Sequence, residues 1–406
     1  MNGSLNPTIG SDRIQSLDLL RGFALLGILI MNIQSFSMPG AAYLNPMNYG
    51  DMTGSNKWVW ILGHVFADQK FMAIFSMLYG AGVILVTQNA EKKFGKSAGL
   101  HYRRTFWLLV IGLIHAHLIW YGDILVTYAL CALFVYLFRN VRPSRLLTIG
   151  IGFISIHSLL YLLLGWSTPY RSEEASADAI AAWTPSLDSI NANIEAITGS
   201  LSEQISYNSQ EALMLETFVF LTYFMWRAGG LMLVGMALYK WGILTASKSK
   251  TFYLRGWILS WGIGLPIVIY GVIRNFAEDF SFEFSMFLGS QFNYWGSLFI
   301  AFGYICMIML LAKSNSMLAF KSRLAAIGQM ALTNYLSQSI ICVLIFYGVG
   351  FGLFGQIERT GQILITFAIW LVQFLWSKPW LSKYRFGPAE WLWRSLTYMK
   401  KQPFKR

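Results

Sequence analysis

The chain has 406 residues, of which 55% are hydrophobic and only 12% are charged. Soluble domains carry about 25% charged residues, so this composition excludes a disordered chain, a disulfide scaffold and a typical water-soluble enzyme. A net charge of +12 is also found in proteins that bind nucleic acids, so the placement of the basic residues matters. We expect a protein that lies mostly in lipid.

Ten apolar runs are long enough to cross a bilayer, whose core takes about 20 residues of α-helix. The second run is too long for one crossing and predicts a short outer helix through Asp68, followed by a spanning helix from Phe71. The third and fourth runs predict a helical hairpin that turns at Trp120–Gly122. The ten runs are 17–36, 58–88, 104–120, 121–138, 145–166, 213–239, 253–273, 291–312, 327–349 and 361–377. The expected fold class is an all-α, polytopic membrane helical bundle, with residues 1–406 as a single transmembrane domain.

The basic residues indicate which loops face the cytoplasm. Of the 31 Lys and Arg residues, 25 fall in alternate segments between the runs. These segments are 1–21, 89–104, 139–145, 240–255, 313–326 and 378–406. The positive-inside rule therefore predicts that both termini are cytoplasmic. Because topology explains the positive charge, we expect no nucleic-acid partner.

Two segments outside the runs also show helical patterns. The extracytoplasmic loop 167–212 is acidic, and its apolar residues from Leu187 to Ile205 recur at helical spacing, which predicts an amphipathic helix. That helix is either a surface cap or a lid over an outward-opening site. In the cytoplasmic segment 378–406, Gly387–Arg394 alternates aromatic and basic residues, which predicts a helix at the inner membrane interface.

Ionisable side chains inside the runs are costly in lipid and are therefore candidates for function. Asp18 and Arg21 lie three residues apart on one face of the first run. They form either a structural ion pair or a contact with an anionic headgroup or with a phosphate of a cytoplasmic substrate. Asn32, near the outer end of the same run, is either an interhelical hydrogen-bonding residue or a substrate contact.

Two histidine–carboxylate pairs are candidate general bases, because a carboxylate orients an imidazole and raises its basicity. His64 and Asp68 are four residues apart on one helix face, and the alternative for them is an ion pair at the outer interface. His115 and Asp123 lie on either side of the hairpin turn, where Asp123 alternatively only stabilises the turn.

Arg227 lies near the middle of the sixth run and must find an acid, a carbonyl group or a bound anion. Asp68 and Asp123 are the candidate acids. We expect the polar residues of different runs to gather in one interior site in the outer half of the bundle. His157, in the fifth run, has no acid nearby in sequence and is expected to be a hydrogen-bonded packing residue. The cysteine and histidine spacings are not those of a metal site, so no metal is expected.

Several stretches of the chain resemble the YeiB family, a group of bacterial membrane proteins. The stretches that carry the likeness are Ser16–Ile33, Ile111–Leu125, Arg227–Met236, Gly328–Tyr335 and Arg385–Arg394. This resemblance implies a protein of the bacterial cytoplasmic membrane that is distantly similar to transmembrane acyltransferases, which pass an acyl group from acyl-CoA inside to an acceptor outside. The O-acetylating members of that group have a histidine where this chain has Asn32, and an amide has no basic nitrogen. Either His115 or His64 replaces that base, or the catalytic chemistry is absent.

Two functions follow from these residues and this resemblance. In the first, the chain is a transmembrane acyltransferase with acyl-CoA as co-substrate and no required cofactor, in which Arg21 holds donor phosphates and His115, oriented by Asp123, deprotonates the acceptor. In the second, it binds or transports a lipid, a quinone or a small solute without catalysis, and Arg227 holds the head group. Membrane lipids are partners in both cases, and a homodimer is compatible with the sequence.

Overall fold

The computed structural model describes residues 14–406 as a bundle of α-helices. The helices are α1 (Gln15–Ser37), α2 (Gly40–Leu44), α3 (Gly54–Phe66), α4 (Lys70–Phe94), α5 (Ala98–Leu118), α6 (Leu125–Val135), α7 (Pro143–Trp166), α8 (Glu173–Trp183), α9 (Leu187–Thr198), α10 (Leu201–Met214), α11 (Met225–Lys240), α12 (Lys250–Ala277), α13 (Ser290–Lys313), α14 (Leu318–Gln329), α15 (Ala331–Phe346), α16 (Arg359–Lys383) and α17 (Pro388–Tyr398). Two π-helices, Leu215–Phe224 and Phe282–Gly289, lead into α11 and α13.

Within residues 14–406, seven helical stretches are long and apolar enough to cross a membrane. They are Gln15–Ser37, Gly54–Lys93, Pro143–Trp166, Leu201–Lys240, Lys250–Ala277, Phe282–Lys313 and Arg359–Lys383. The pair α14 and α15, bent by 80° at its break, adds an eighth if it is one span. The structure therefore confirms a polytopic helical bundle, but its count of spanning helices is seven or eight rather than ten.

The two helices of the predicted hairpin account for the difference between ten and eight spanning helices. α5 carries Arg103, Arg104 and three histidines, which lower its mean hydropathy, and α6 has only 11 residues. α5 still joins the two ends of the bundle. At one end Trp393 Nε1 donates to the Arg104 carbonyl oxygen (2.9 Å), and at the other Asn208 Nδ2 donates to that of Ile119 (3.2 Å). Contacts with the rest of the bundle hold these two helices in place.

The segments predicted to be cytoplasmic meet at one end, called the inner end from here on. Lys240 Nζ donates to the carbonyl oxygens of Arg139 (2.6 Å) and Val141 (2.7 Å), and Ser16 Oγ donates to that of Leu244 (3.1 Å). The predicted extracytoplasmic segments meet at the opposite, outer end. There the Gly348 N–H donates to the Ile197 carbonyl oxygen (3.1 Å). The alternation of loops between two ends is thus a property of the fold, and the orientation of the ends in the membrane stays a prediction.

The second apolar run breaks where the sequence predicts a break. α3 ends at Phe66 and α4 begins at Lys70, and between them Gln69 adopts a left-handed backbone conformation with φ of +66°. Residues with a β-carbon rarely adopt this conformation. Here it turns the chain from the outer helix into the spanning one.

The acidic loop 167–212 folds into α8, α9 and most of α10. Ser172, Ser186 and Ser200 each accept a backbone N–H at the beginning of one of these helices. Gly199 separates α9 from α10, so the helical spacing seen in sequence belongs to two helices. Ile197 is buried in a cluster with Trp120 and the outer part of α1. The loop therefore covers the hairpin turn at the outer end, and whether it acts as a cap or as a lid stays a prediction.

Candidate functional site

A cavity of about 300 Å³, called the inner cavity from here on, opens between α1, α4, α5, α6, the bent pair α14–α15 and α17. Much of its wall is apolar. Its charged lining residues are Asp18, Arg21, Lys93, Arg104, Glu390 and Arg394. Among the residues that the structure describes, four cations and two acids give this cavity a net positive lining beside an apolar wall. Such a lining suits an anionic amphiphile.

Asp18 and Arg21 form the ion pair expected from their spacing. The distance between Arg21 Nη1 and Asp18 Oδ1 is 3.0 Å, and both residues line the inner cavity. A β-carbon at Gly22 would lie 2.1 Å from the Leu324 carbonyl oxygen. The glycine that follows the pair therefore lets α1 touch the backbone of α14, which brings the pair to the cavity wall.

Asn32 lies beyond the inner cavity on the same face of α1. Leu25 and Ile28 line the cavity, and Asn32 follows Ile28 by four residues, about one helical turn. Its side chain is half-buried and makes no hydrogen bond within residues 14–406. The predicted interhelical hydrogen bond is therefore not observed.

His115 and Asp123 form a buried dyad across the hairpin turn. His115 Nδ1 lies 2.7 Å from Asp123 Oδ2, while Asp123 Oδ1 accepts the Val126 N–H (2.8 Å) and so caps α6. A β-carbon at Gly112 would lie 2.8 Å from the Val126 nitrogen, so this glycine allows the close approach of α5 and α6. His115 Nε2 is buried and has no hydrogen-bond partner among the described residues. Asp123 thus orients the imidazole through Nδ1, and Nε2 is left without a hydrogen bond within the described part of the chain.

The dyad lies behind the wall of the inner cavity. His115 is 1% exposed and does not line the cavity. Its ring packs against that of Tyr335, with centroids 5.2 Å apart, and Tyr335 is a lining residue. Leu108 and Ile124, which belong to the hairpin, also line the cavity. Tyr335 is therefore the contact between the cavity and the dyad.

His64 and Asp68 belong to a second polar network at the outer end. His64 Nδ1 lies 3.2 Å from Asp68 Oδ2, and Asn293 Nδ2 donates to the same oxygen (2.7 Å). Lys70 Nζ donates to Asn293 Oδ1 and to the His64 carbonyl oxygen (2.6 Å). The ammonium group thereby compensates the negative end of α3. Asn293, a polar amide of α13, was not singled out from the sequence.

Arg227 is fully buried and is bound by α13, while its Nε has no hydrogen-bond partner among the described residues. Its guanidinium donates to the Tyr294 carbonyl oxygen (3.0 Å) and to Ser297 Oγ (2.7 Å), and it stacks on the Tyr294 ring at 4.1 Å. Among the described residues, neither Asp68 nor Asp123 forms an ion pair with it. The sequence predicted an acid, a carbonyl group or a bound anion as the partner of Arg227, and the structure shows a carbonyl group in this position.

The predicted gathering of these residues around one cavity is not observed. His115 and Asp123 form one network, whereas Asp68 and Arg227 are both bound by α13 in another region. None of these four residues lines the inner cavity, which is lined instead by the ion pair of Asp18 and Arg21. The two networks are separate because His115 and Asp123 belong to α5 and the turn before α6, whereas Asp68 and Arg227 bind residues of α13.

As expected, His157 is a packing histidine whose Nδ1 lies 2.8 Å from the Thr222 carbonyl oxygen.

Glu390 and Arg104 are site residues that the sequence reading missed. Glu390 is 8% exposed, and its carboxylate accepts the backbone N–H groups of Leu332 (2.6 Å) and Thr333 (3.0 Å) and the Thr333 hydroxyl (2.5 Å). Burial raises the pKa of Glu390, and these hydrogen bonds oppose that shift. Arg104 stacks on Trp393 at 4.1 Å. A lone acid among the aromatic and basic residues of 387–394 was the available sequence signal for Glu390.

The fold and these sites define a polytopic α-helical membrane protein with buried polar networks. Residues 238–400 match a family model described as a protein of unknown function, DUF418. YxaH of Bacillus subtilis (strain 168) is 31% identical over 99% of this chain and 98% of its own length, and YeiB of Escherichia coli (strain K12) is 31% identical over 95% and 96%. Both are described as uncharacterized. No solved structure matches the chain. The chain belongs to the YeiB family.

Proposed function

We propose that the chain is a transmembrane acyltransferase that takes an acyl group from a cytoplasmic acyl-CoA and passes it to an extracytoplasmic acceptor. The observation that carries the proposal is the unpartnered Nε2 of His115, held by Asp123 immediately behind the wall of a positively lined cavity. In this assignment the inner end faces the cytoplasm of a bacterium, in agreement with the basic loops.

The donor would lie in the inner cavity. Arg21, Arg104 and Arg394 would bind its phosphates, and the apolar wall would bind the pantetheine and acyl portions. Tyr335 would move aside to admit the thioester to His115. The acceptor, a small molecule or a lipid with a hydroxyl group, would approach from the outer end.

The chemistry follows from the dyad. An ionised Asp123 only accepts hydrogen bonds, so His115 Nδ1 donates to it and Nε2 is the basic nitrogen. Nε2 takes the proton of the acceptor hydroxyl, whose oxygen attacks the thioester carbonyl. The acyl–oxygen bond forms, the acyl–sulfur bond breaks, and the proton on Nε2 passes to the departing thiolate.

A second candidate function is binding or transport without catalysis. One observation favours it: neither His115 nor Arg227 lines the inner cavity, and Tyr335, which does line it, packs against His115. The same cavity would then hold a lipid, a quinone or another amphiphile.

Two measurements distinguish these functions: the binding of acyl-CoA and the transfer of its acyl group to membrane components. We expect acetyl-CoA at about 100 times its Kd to stabilise the protein in nanodiscs by about 2.7 kcal/mol. His115→Ala should keep this stabilisation and lose transfer of labelled acetyl groups to membrane components. His117→Ala is the matched control, since that side chain lies two residues away and is partly exposed.

Two results would contradict the acyltransferase. Transfer that persists in His115→Ala would remove the proposed base. A copurifying lipid detected by native mass spectrometry, with no stabilisation by acetyl-CoA, would favour the binding protein.

A further inference from the structure

We propose that α17 is a hinged lid over the inner cavity and that Glu390 is its latch. This inference deepens the proposed function and rests on it only in treating the inner cavity as the ligand site.

The first supporting feature is the position of α17 in the cavity wall. Glu390, Trp393, Arg394 and Tyr398 all come from this helix and all line the inner cavity. The remaining wall comes from helices of the bundle. Displacement of α17 alone would therefore open the cavity at the inner end, while the rest of its wall stayed in place.

The second feature is that both flanks of α17 return to one point. The segment before it leaves α16 at Tyr384, and the segment after it comes back to the same place. There Tyr384 bridges Lys405, the Arg385 N–H donates to the Phe404 carbonyl oxygen (2.9 Å), and the Arg406 N–H donates to that of Lys383 (3.1 Å). The helix is thus carried on a closed flap that is joined to the bundle at the end of α16, which is the arrangement of a hinge.

The third feature is the latch itself. Glu390 binds the first turn of α15 through two backbone N–H groups and the Thr333 hydroxyl. These N–H groups are the ones that a helix start leaves without partners, and here the start follows the 80° break after α14. A carboxylate at this position also interacts favourably with the positive end of the helix. Glu390 therefore fastens the beginning of α17 to the bundle, where the Ala389 N–H also donates to the Thr333 hydroxyl (3.0 Å). Further along the helix, Trp393 Nε1 donates to the Arg104 carbonyl oxygen (2.9 Å).

The latch is connected to the candidate base. Leu332 and Tyr335 lie within one turn of α15, and both line the inner cavity. Tyr335 packs against His115. Release of Glu390 would loosen the turn that carries Tyr335, so opening of the lid and uncovering of His115 would be coupled.

Cysteine labelling tests the lid without any acyl donor. Gly82 lines the inner cavity, and a β-carbon there meets open space, so Gly82→Cys places a thiol in the cavity. The native Cys131, Cys306 and Cys342 are fully buried. In the full chain in nanodiscs, we expect a soluble maleimide to label Gly82→Cys at least tenfold faster when Glu390→Ala is added, and at least threefold faster with the milder Glu390→Gln.

Glu91→Gln is the matched control, because Glu91 is a carboxylate of the inner end that does not line the cavity. It should leave the labelling rate unchanged. If Glu390→Ala does not fold, the Glu390→Gln rate decides the matter. Equal rates in Glu390→Gln and the parent, or an equal acceleration by Glu91→Gln, would overturn the lid. Because the experiment uses the maleimide without an acyl donor, its result does not depend on whether the protein transfers acyl groups.

Discussion

At the scale of single residues, buried cations in this protein are bound by backbone carbonyl groups. Lys70, Arg227 and Arg359 are at most 2% exposed, and none of them forms an ion pair within the described residues 14–406. Arg359 donates to the carbonyl oxygens of Pro46, Tyr49 and Asp51, each at 3.1 Å. Every residue has a carbonyl group, so the sequence shows the cation but cannot indicate which carbonyl binds it.

Arg359→Ala should therefore destabilise the protein by about 3 kcal/mol, because three carbonyl groups lose their donor and each buried unsatisfied group costs roughly 1–3 kcal/mol. Partial access of water to this outer loop reduces the sum. The measurement is thermal unfolding in detergent.

Arg274→Ala is the control for that experiment. Arg274 forms an exposed pair with Glu278 at 2.6 Å, and such pairs contribute only about 0–1 kcal/mol. Equal losses of stability in the two variants would show that the carbonyl groups around Arg359 do not depend on it.

At the scale of helices, small residues decide how closely the apolar elements approach. α4 and α11 cross at Gly80 and Gly235, where added β-carbons would lie 1.9 Å from the Met232 carbonyl oxygen and 2.0 Å from that of Met77. Lipid supplies no hydrophobic force between helices, so such close backbone contact is a main source of their association. Glycines of this kind are visible in the sequence, but their partners are not.

Gly235→Ala should cost about 1–3 kcal/mol, the usual range for overpacking, because α4 and α11 must separate. The reciprocal variant Gly80→Ala should behave alike. Unfolding of each purified variant by heat gives the comparison.

Gly262→Ala, in α12, serves as the reference for these glycines. Its β-carbon meets nothing within 4 Å, and alanine in a helix is favoured over glycine by about 1 kcal/mol. This variant should be neutral or more stable than the parent. A loss in Gly262→Ala as large as that in Gly235→Ala would show that helix packing is not the cause.

At the scale of the whole molecule, the loops form two connected ends. Lys313 Nζ donates to the Ala246 carbonyl oxygen (2.9 Å) at the inner end, and Asn48 Nδ2 donates to that of Trp183 (2.8 Å) at the outer end. The concentration of basic residues at the inner end predicts that it is cytoplasmic.

Single cysteines test that orientation. Ser316→Cys, between α13 and α14, and Ser189→Cys, in α9, are both exposed and lie at opposite ends. In inverted membrane vesicles, an impermeant maleimide should label Ser316→Cys, and in intact spheroplasts it should label Ser189→Cys. Labelling of both positions from one side would contradict the two-ended arrangement, and exchanged labelling would reverse the orientation.

The pairing of His115 with Asp123 was one of two alternatives left open by the sequence, because these residues lie on either side of a turn. The amino-acid sequence was sufficient to predict the class of protein, the break between α3 and α4 and the helix face that Asp18 shares with Arg21. These features depend on apolar length and on residues that are near one another in the chain, where helix geometry fixes their distance. The resemblance seen in separate stretches of the chain is likewise a property of sequence, and the comparisons with bacterial relatives confirm it.

Which polar groups share a site depends on the packing of the helices and could not be predicted from the sequence. Asp68 meets Asn293, 225 positions away, and Glu390 meets Thr333, 57 positions away. Such pairs depend on which helices are neighbours and how they are rotated, and an apolar sequence leaves both undetermined because lipid-facing and buried surfaces have similar compositions. For the same reason, the place of α5 and α6 in the bundle follows from packing rather than from hydropathy.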